Sequence, residues 1–191
     1  MEGRKHTGVI LELIPDGDEA WEEQWRSQAL PPRVDGAAAF RIAAGYDLDG
    51  ATHVAIYETG EADVAAAARG VGESATGYTG FAEYGPVSEG RTAGVVLVFT
   101  DCDDPAAEDD FNEWYTGHLH HTVESIDFYA ASRYESNDPS RTPAKYLAIY
   151  ESQSEDTAKV QKDGVDWWVK GGFEGPKAMV LRNEVPATRI D

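Results

Sequence analysis

Three of the five histidines fall within four residues, at His118-Leu119-His120-His121. On a helix His118 and His121 are three apart and share a face, while His120 points elsewhere. Free imidazole titrates at about 6.5, so His118 reads as a general acid or base working at neutral pH, with His121 a second candidate. Just upstream, Tyr115 offers a phenol that could hydrogen-bond a substrate oxygen, with Asn112 three residues before it and Trp114 beside it. His118 and His121 together with Asp110 or Glu124 have the donor atoms for zinc or iron. Histidines at i and i+3 without a clear third ligand do not make a metal site, and none is assigned. Cys102 is the single cysteine, which excludes an internal disulfide. Its neighbours Asp101, Asp103 and Asp104 disfavour a thiolate, so nucleophilic chemistry is not expected there.

These residues sit in a chain that repeats itself. Gly8-Val9-Ile10-Leu11-Glu12-Leu13 returns as Gly94-Val95-Val96-Leu97-Val98-Phe99, 86 positions on by subtraction. Ala38-Ala39-Phe40-Arg41-Ile42 aligns with Ala130-Ala131-Ser132-Arg133-Tyr134 at an offset of 92, and His53-Val54-Ala55-Ile56-Tyr57-Glu58 with Tyr146-Leu147-Ala148-Ile149-Tyr150-Glu151 at 93. A period near 90 is too long for a solenoid, whose repeats run roughly 20–50 residues. It suits two copies of a small domain, residues 1–88 and 89–191, packed on each other because each is near the lower size limit for a stable core.

Each half reads as strand, helix, strand, strand, helix, strand. In the first, the strands are Val9–Ile14, Ala38–Ala44, Thr52–Tyr57 and Gly77–Tyr84, with helices Asp18–Ala29 and Ala62–Arg69. In the second, they are Gly94–Thr100, Phe128–Glu135, Ala144–Tyr150 and Lys177–Asn183, with a helix from Ala106 to about Val123 and another beginning at Glu155. Pro186 marks the start of a loose tail. A βαββαβ unit makes an antiparallel sheet with both helices on one face, leaving the other face apolar. Two units can cover those faces by packing sheet to sheet as an α+β barrel with helices outside.

The repeat also sorts the residues. Trp114 matches Trp25 and reads as core as much as pocket wall, whereas Tyr115 matches Arg26 and His118 matches Ala29. Glu12 interrupts an apolar strand where the second half has Val98, so it is either a raised-pKa acid or the partner of Arg41. His53 and its counterpart Tyr146 place polar tips in an apolar setting. Arg41 and Arg133 appear in both halves, which reads as structural. Trp167, Trp168 and Phe173 are further candidate walls for a pocket.

Thirty-five acids against sixteen bases give a net charge of -19, which repels nucleic acid and anionic membranes. Met1–Thr7 is polar and followed by too short an apolar run for a signal peptide, and no segment nears the roughly 20 apolar residues of a membrane span. A cytoplasmic protein is expected, acting on a small molecule, with a homodimer permitted. No phosphate loop, dinucleotide fingerprint or nucleophile elbow is present, so no cofactor is assigned.

The stretch Phe111-Asn112-Glu113-Trp114-Tyr115-Thr116-Gly117-His118-Leu119, followed by Ala130-Ala131-Ser132-Arg133-Tyr134-Glu135, resembles the dimeric α+β barrel superfamily, and within it the EthD-like branch. There a helix reading roughly F-N-x-W-Y-x-x-H-L-P precedes a strand ending in R-Y or R-F. Here Gly117 replaces a frequent acid and His120 the proline. The resemblance implies a ferredoxin-like sandwich with a pocket between sheet and helices or inside the barrel, in a superfamily that holds cofactor-free monooxygenases, cyclases, isomerases, dehydratases and haem binders. The expected function is cofactor-free proton transfer at carbon (isomerisation, cyclisation or elimination) on an apolar, aromatic or polyketide-like molecule. His118, Tyr115 and His121 would be catalytic. Asn112, Trp114, Glu12, His53, Tyr146 and Trp168 would bind substrate. The alternatives are a cofactor-free monooxygenase and a haem- or small-ligand-binding protein.

Overall fold

The computed structural model describes residues 7–87 and 92–191. The 88/89 boundary between the halves and most of the Met1–Thr7 segment lie outside the described residues. Eight strands and four helices follow in the order β1 (Gly8–Ile14), α1 (Glu19–Ser27), β2 (Gly36–Ile42), β3 (His53–Thr59), α2 (Val64–Val71), β4 (Thr76–Tyr84), β5 (Gly94–Cys102), α3 (Glu108–Ser125), β6 (Ala130–Ser136), β7 (Tyr146–Ser152), α4 (Thr157–Gly171) and β8 (Met179–Arg189).

The strands form one closed barrel in the order β1-β3-β2-β8-β5-β7-β6-β4. It consists of two four-stranded antiparallel runs, β4-β1-β3-β2 and β8-β5-β7-β6, joined at both edges by β2–β8 and β4–β6. Side-chain alternation explains the closure. Val9, Leu11, Val54, Ile56, Val95, Leu97, Leu147 and Ile149 point inward to one shared core. Leu48 and Ala51, from the loop between β2 and β3, are buried in the same core. Asp49 and Gly50 in that loop have positive φ (52° and 76°), as an Asp-Gly turn requires, but the loop is wider than a tight hairpin.

The opposite strand faces carry the helices. Ile10, Ala39, Ala55 and Tyr57 pack under α1 and α2, while Val96, Val98, Tyr146, Ala148 and Tyr150 pack under α3 and α4. Helix starts are fixed by acids: Asp18, Asp63 and Asp156 accept from the backbone N–H three residues on. The glycines that begin β1 and β5 are needed for space. A Cβ on Gly8 would lie 2.8 Å from Val64 of α2, and one on Gly94 would lie 2.0 Å from Thr157 of α4.

Three expectations are corrected. β8 continues to Arg189, so the expected loose tail is strand: Pro186 cannot donate, but its carbonyl accepts from Ala43 N at 3.0 Å. Helix α1 ends at Ser27, so Ala29 is not a helical counterpart of His118. The arginines are not equivalent either. Arg133 pairs with Ala148, whereas Ala55, the match of Ala148, pairs with Ala39; Arg41 lies one pleat further along, opposite His53.

Candidate active site

Helix α3 presents Phe111, Tyr115, Leu119 and Thr122 as its buried stripe. His118 lies at the edge of that stripe and His121 beyond it, since each residue turns the helix by roughly 100°. Only His118 therefore enters the cavity between the second sheet and the helices α3 and α4; His121 is exposed and does not line it. His120 is exposed and stacks on Tyr84 at 4.1 Å.

The cavity encloses about 270 Å³. Its floor is Val96, Val98 and Thr100 of β5, Tyr150 of β7 and Glu184 of β8; α3 supplies Trp114, Tyr115 and His118, and α4 supplies Gln161, Gly164, Trp167 and Trp168. It exists because α4 stands away from the sheet. Only Thr157 and Val160 of that helix are buried, both in its first turn.

His118 is held between indoles, stacked on Trp114 (5.0 Å, 9°) and edge-on to Trp168 (4.9 Å, 86°). Burial, with the charges of His121 and Arg133 added, lowers its pKa to about 4. The imidazole is thus neutral at pH 7, a proton acceptor, rather than the evenly poised acid or base expected from its ordinary pKa. Tyr115 is buried, and burial raises its phenol to about 12 against the opposing pull of Arg133. The Tyr150 phenol is raised well above its usual range by burial and by Tyr115, and its hydroxyl has no hydrogen-bond partner of standard geometry among the described residues. The same holds for Thr100 Oγ1 on the floor.

Behind Tyr115 lies Arg133, fully buried, with its guanidinium carbon 4.1 Å from the Tyr115 ring centre and about equally close to Phe81 (4.9 Å), Phe111 (5.1 Å) and Tyr146 (5.1 Å). Nη1 reaches the Asn112 carbonyl at 3.4 Å, while Nε and Nη2 have no partner among the described residues. Burial lowers its pKa to about 10, which still leaves it charged.

The other expected residues divide. Trp114 and Trp168 line the cavity, and Phe173 instead packs on Trp167 and Trp168 (4.6 and 5.4 Å). Asn112 and Tyr146 meet each other at 3.2 Å, but outside the cavity: Tyr146 donates to Glu108 at 2.7 Å, and Lys145 pairs with the same carboxylate. Glu12 and His53 belong to the far sheet. Glu12 faces the helices rather than the barrel interior and accepts from Tyr57 (2.9 Å) and Ser74 (3.1 Å), not from Arg41. His53 Nε2 is 3.0 Å from Glu22, which also binds Arg41. Burial would raise the Glu22 carboxyl, but the hydrogen bonds from Arg41 and His53 outweigh it and the pKa falls. Among the described residues no group of three or more His, Cys, Asp or Glu could hold a metal, and no helix is long and apolar enough to cross a membrane.

Sequence reasoning missed Glu184. The alternation Leu181-Arg182-Asn183-Glu184-Val185 places it on the helix side, but Pro186 had suggested that the strand stops at Asn183.

No family model matches this chain, and no curated protein does. Solved structures do match across nearly its full length. A major regulator of staphylococcal pathogenesis superposes with a TM-score of 0.59 at 10% identity, covering 95% of this chain and 98% of that one. A monooxygenase-like protein from Listeria innocua gives 0.54 at 11% identity, covering 97% and 95%. An anthrone oxidase-like protein gives 0.51 at 11%, covering 97% and 92%. At such identities these likenesses show the fold, a ferredoxin-like α+β barrel.

Proposed function

We propose that the chain is a cofactor-independent enzyme that removes a proton from carbon in a small aromatic molecule bound between the second sheet and helices α3 and α4. The observation that carries this is a neutral, buried His118 sharing an apolar cavity with the phenols of Tyr115 and Tyr150. His118 accepts the proton. Tyr115 donates a hydrogen bond to the oxygen on which charge develops, and the positive Arg133 behind the ring stabilises that charge. Trp114 and Trp168 orient the aromatic plane. Isomerisation, cyclisation and elimination all begin with this step.

Cofactor-free oxygenation shares the same first step, since a carbanion can pass electrons to dioxygen. The monooxygenase-like and anthrone oxidase-like names of fold neighbours bring that reading, and product analysis in air and under argon separates the two. A cavity of about 270 Å³ suits a small bicyclic molecule but not a macrocycle, and indoles flank His118. Those residues fit a haem poorly.

The halves, 1–88 and 89–191, are best understood as diverged copies of one EthD-like unit. Support comes from the shared element order and from the register of β1–β3 and β5–β7, where Glu12 faces Ala55 and Val98 faces Ala148.

The test is deuterium exchange of 2-tetralone, a benzo-fused ketone with acidic benzylic C–H bonds, followed by proton NMR. The wild-type protein is expected to exceed buffer, and His118→Gln to lose about 100-fold or more of that rate while still binding the ketone. Equal rates for protein and buffer would refute the reading.

A further inference from the structure

The cavity contains one carboxyl group, and it stands on a defined row of the sheet. Arg133 pairs with Ala148, Ala148 with Val98, and Val98 with Glu184. The row Arg133–Ala148–Val98–Glu184 crosses four adjacent strands, so its ends are roughly 14 Å apart in the backbone. A cation closes one end, a carboxyl the other, and two small side chains leave the space between them. The equivalent first-half row contains Ala39, Ala55 and Glu12, and there the acid is bound by Tyr57. Tyr150 matches Tyr57, yet its hydroxyl turns to Tyr115 and not to an acid.

Resting on the function proposed above, the geometry points to Glu184 as a second catalytic residue, the acid that protonates the substrate's carbonyl oxygen while His118 takes the proton from carbon. The substrate class is then an enolisable ketone whose acidic carbon adjoins an aromatic ring. In the forward step the C–H bond to the α-carbon breaks and its proton goes to His118. The electron pair forms a C=C bond, the carbonyl π pair moves to oxygen, and the Glu184 carboxyl gives that oxygen its proton. The products are an enol, an imidazolium and a carboxylate, and no oxidant or reductant is needed.

Three features of the site support the role. Glu184 lines the cavity from β8, as Tyr115 does from α3 and Tyr150 from β7, and its charge is felt by both phenols. Burial raises its pKa, favouring the protonated form an acid catalyst requires, while the Gln161 amide opposes the shift. Gln161 is itself oriented from the other half of the barrel: Tyr46 donates to its Oε1 at 2.8 Å, which leaves the amide nitrogen to face the carboxyl. The titratable groups that share the cavity with Glu184 are His118 and Tyr115 of α3 and Tyr150 of β7; Arg133 stands behind Tyr115, and α4 contributes only uncharged side chains to the cavity wall.

The experiment is 2-tetralone exchange in D2O as a function of pH for the wild type, Glu184→Gln and His118→Gln, with ketone binding and thermal midpoints measured alongside. Wild type should show a bell, with an acidic limb from His118 and a basic limb from Glu184. Glu184→Gln, nearly isosteric, should bind the ketone within about twofold, lose on the order of 100-fold in rate and lose the basic limb. If Glu184→Gln keeps wild-type rate and basic limb while His118→Gln is silent, the acid role is overturned and the His118 reading stands. If neither variant changes exchange, or wild type catalyses none, both fall.

Discussion

The two helix-facing sides of this barrel are built from one plan and finished differently. On the first, polar groups satisfy one another: Tyr57 donates to Glu12, and Glu22 collects Arg41, His53 and Arg26. Alanines at 39, 55, 67, 68 and 75 let the short helix α2 lie close on the strands. On the second, α4 is nearly twice as long as α2 but buried only at its start, and Arg133 and Thr100 keep unused donors. A buried donor left unpaired costs roughly 1–3 kcal/mol, so such a cluster is a stability loss unless a ligand meets it. The difference teaches where a ligand belongs better than any single motif does.

The sharpest way to break this comparison is to disturb one polar group on each side. Glu22→Ala should destabilise by about 1–3 kcal/mol, because it leaves a ring nitrogen of the buried His53 unpaired and frees Arg41. Its effect on ketone exchange should stay within about threefold. Arg133→Met should do the reverse, with an unchanged or higher thermal midpoint and a rate at least tenfold lower. Calorimetry with exchange assays on both variants decides. A large stability loss in Arg133→Met would make that arginine a structural cation and dissolve the contrast.

A smaller effect concerns pH. His118 titrates near 4 folded and about 6.5 unfolded, so between these values the unfolded chain binds more protons. Its contribution lowers stability as pH falls through that window and levels off below 4. Glu184, raised in the folded state, has the opposite slope, adding stability below its unfolded pKa that is lost as pH rises through the folded one. Urea titrations from pH 4 to 7 should therefore show His118→Gln falling less steeply towards acid than wild type. In Arg133→Met the acidic limb of activity should move upward, because a like charge has gone from beside the imidazole. An identical slope in His118→Gln would contradict the buried, neutral assignment.

Least of all should change in Tyr46→Phe, which removes the hydroxyl that orients Gln161. A few-fold loss in kcat with KM unchanged, and a shifted basic limb, is expected of a residue that only positions Glu184. No movement of that limb would detach the first half from the chemistry.

Much of this architecture was legible in the chain. Alternating strands, aspartate caps and the paired Gly8 and Gly94 announce two βαββαβ runs, since those signals are local. His118, Tyr115 and Trp114 were picked out by residue type, helical spacing and the resemblance of their helix motif, and Trp168 as an aromatic wall. What escaped was set by pairing between distant strands. The offset of 92 made Arg41 and Arg133 look like twins, but ladder register separates them by a pleat repeat. Glu184 was lost to a proline that ends most strands and here merely sits where β8, still paired with β5, gains β2 as a second neighbour. His121 looked like a partner to His118 because helical spacing says who shares a face, not how wide the buried stripe is. Glu12 was read as a raised-pKa acid or a partner of Arg41, since no local pattern reveals that Tyr57 reaches it.

The doubly joined barrel has a consequence for the life of the chain outside its folded state. With β2 bonded to β8 and β4 to β6 the ring closes, and among the described residues no strand keeps a wholly unpaired edge. Bare edges are templates for adding foreign strands, and this fold denies them to aggregation without the charged or proline-blocked edges that open sheets rely on. The protection is collective. A chain with only one half formed, as during synthesis, exposes two such edges beside an uncovered apolar face, and its vulnerable interval lasts until the final strand, β8, closes the ring.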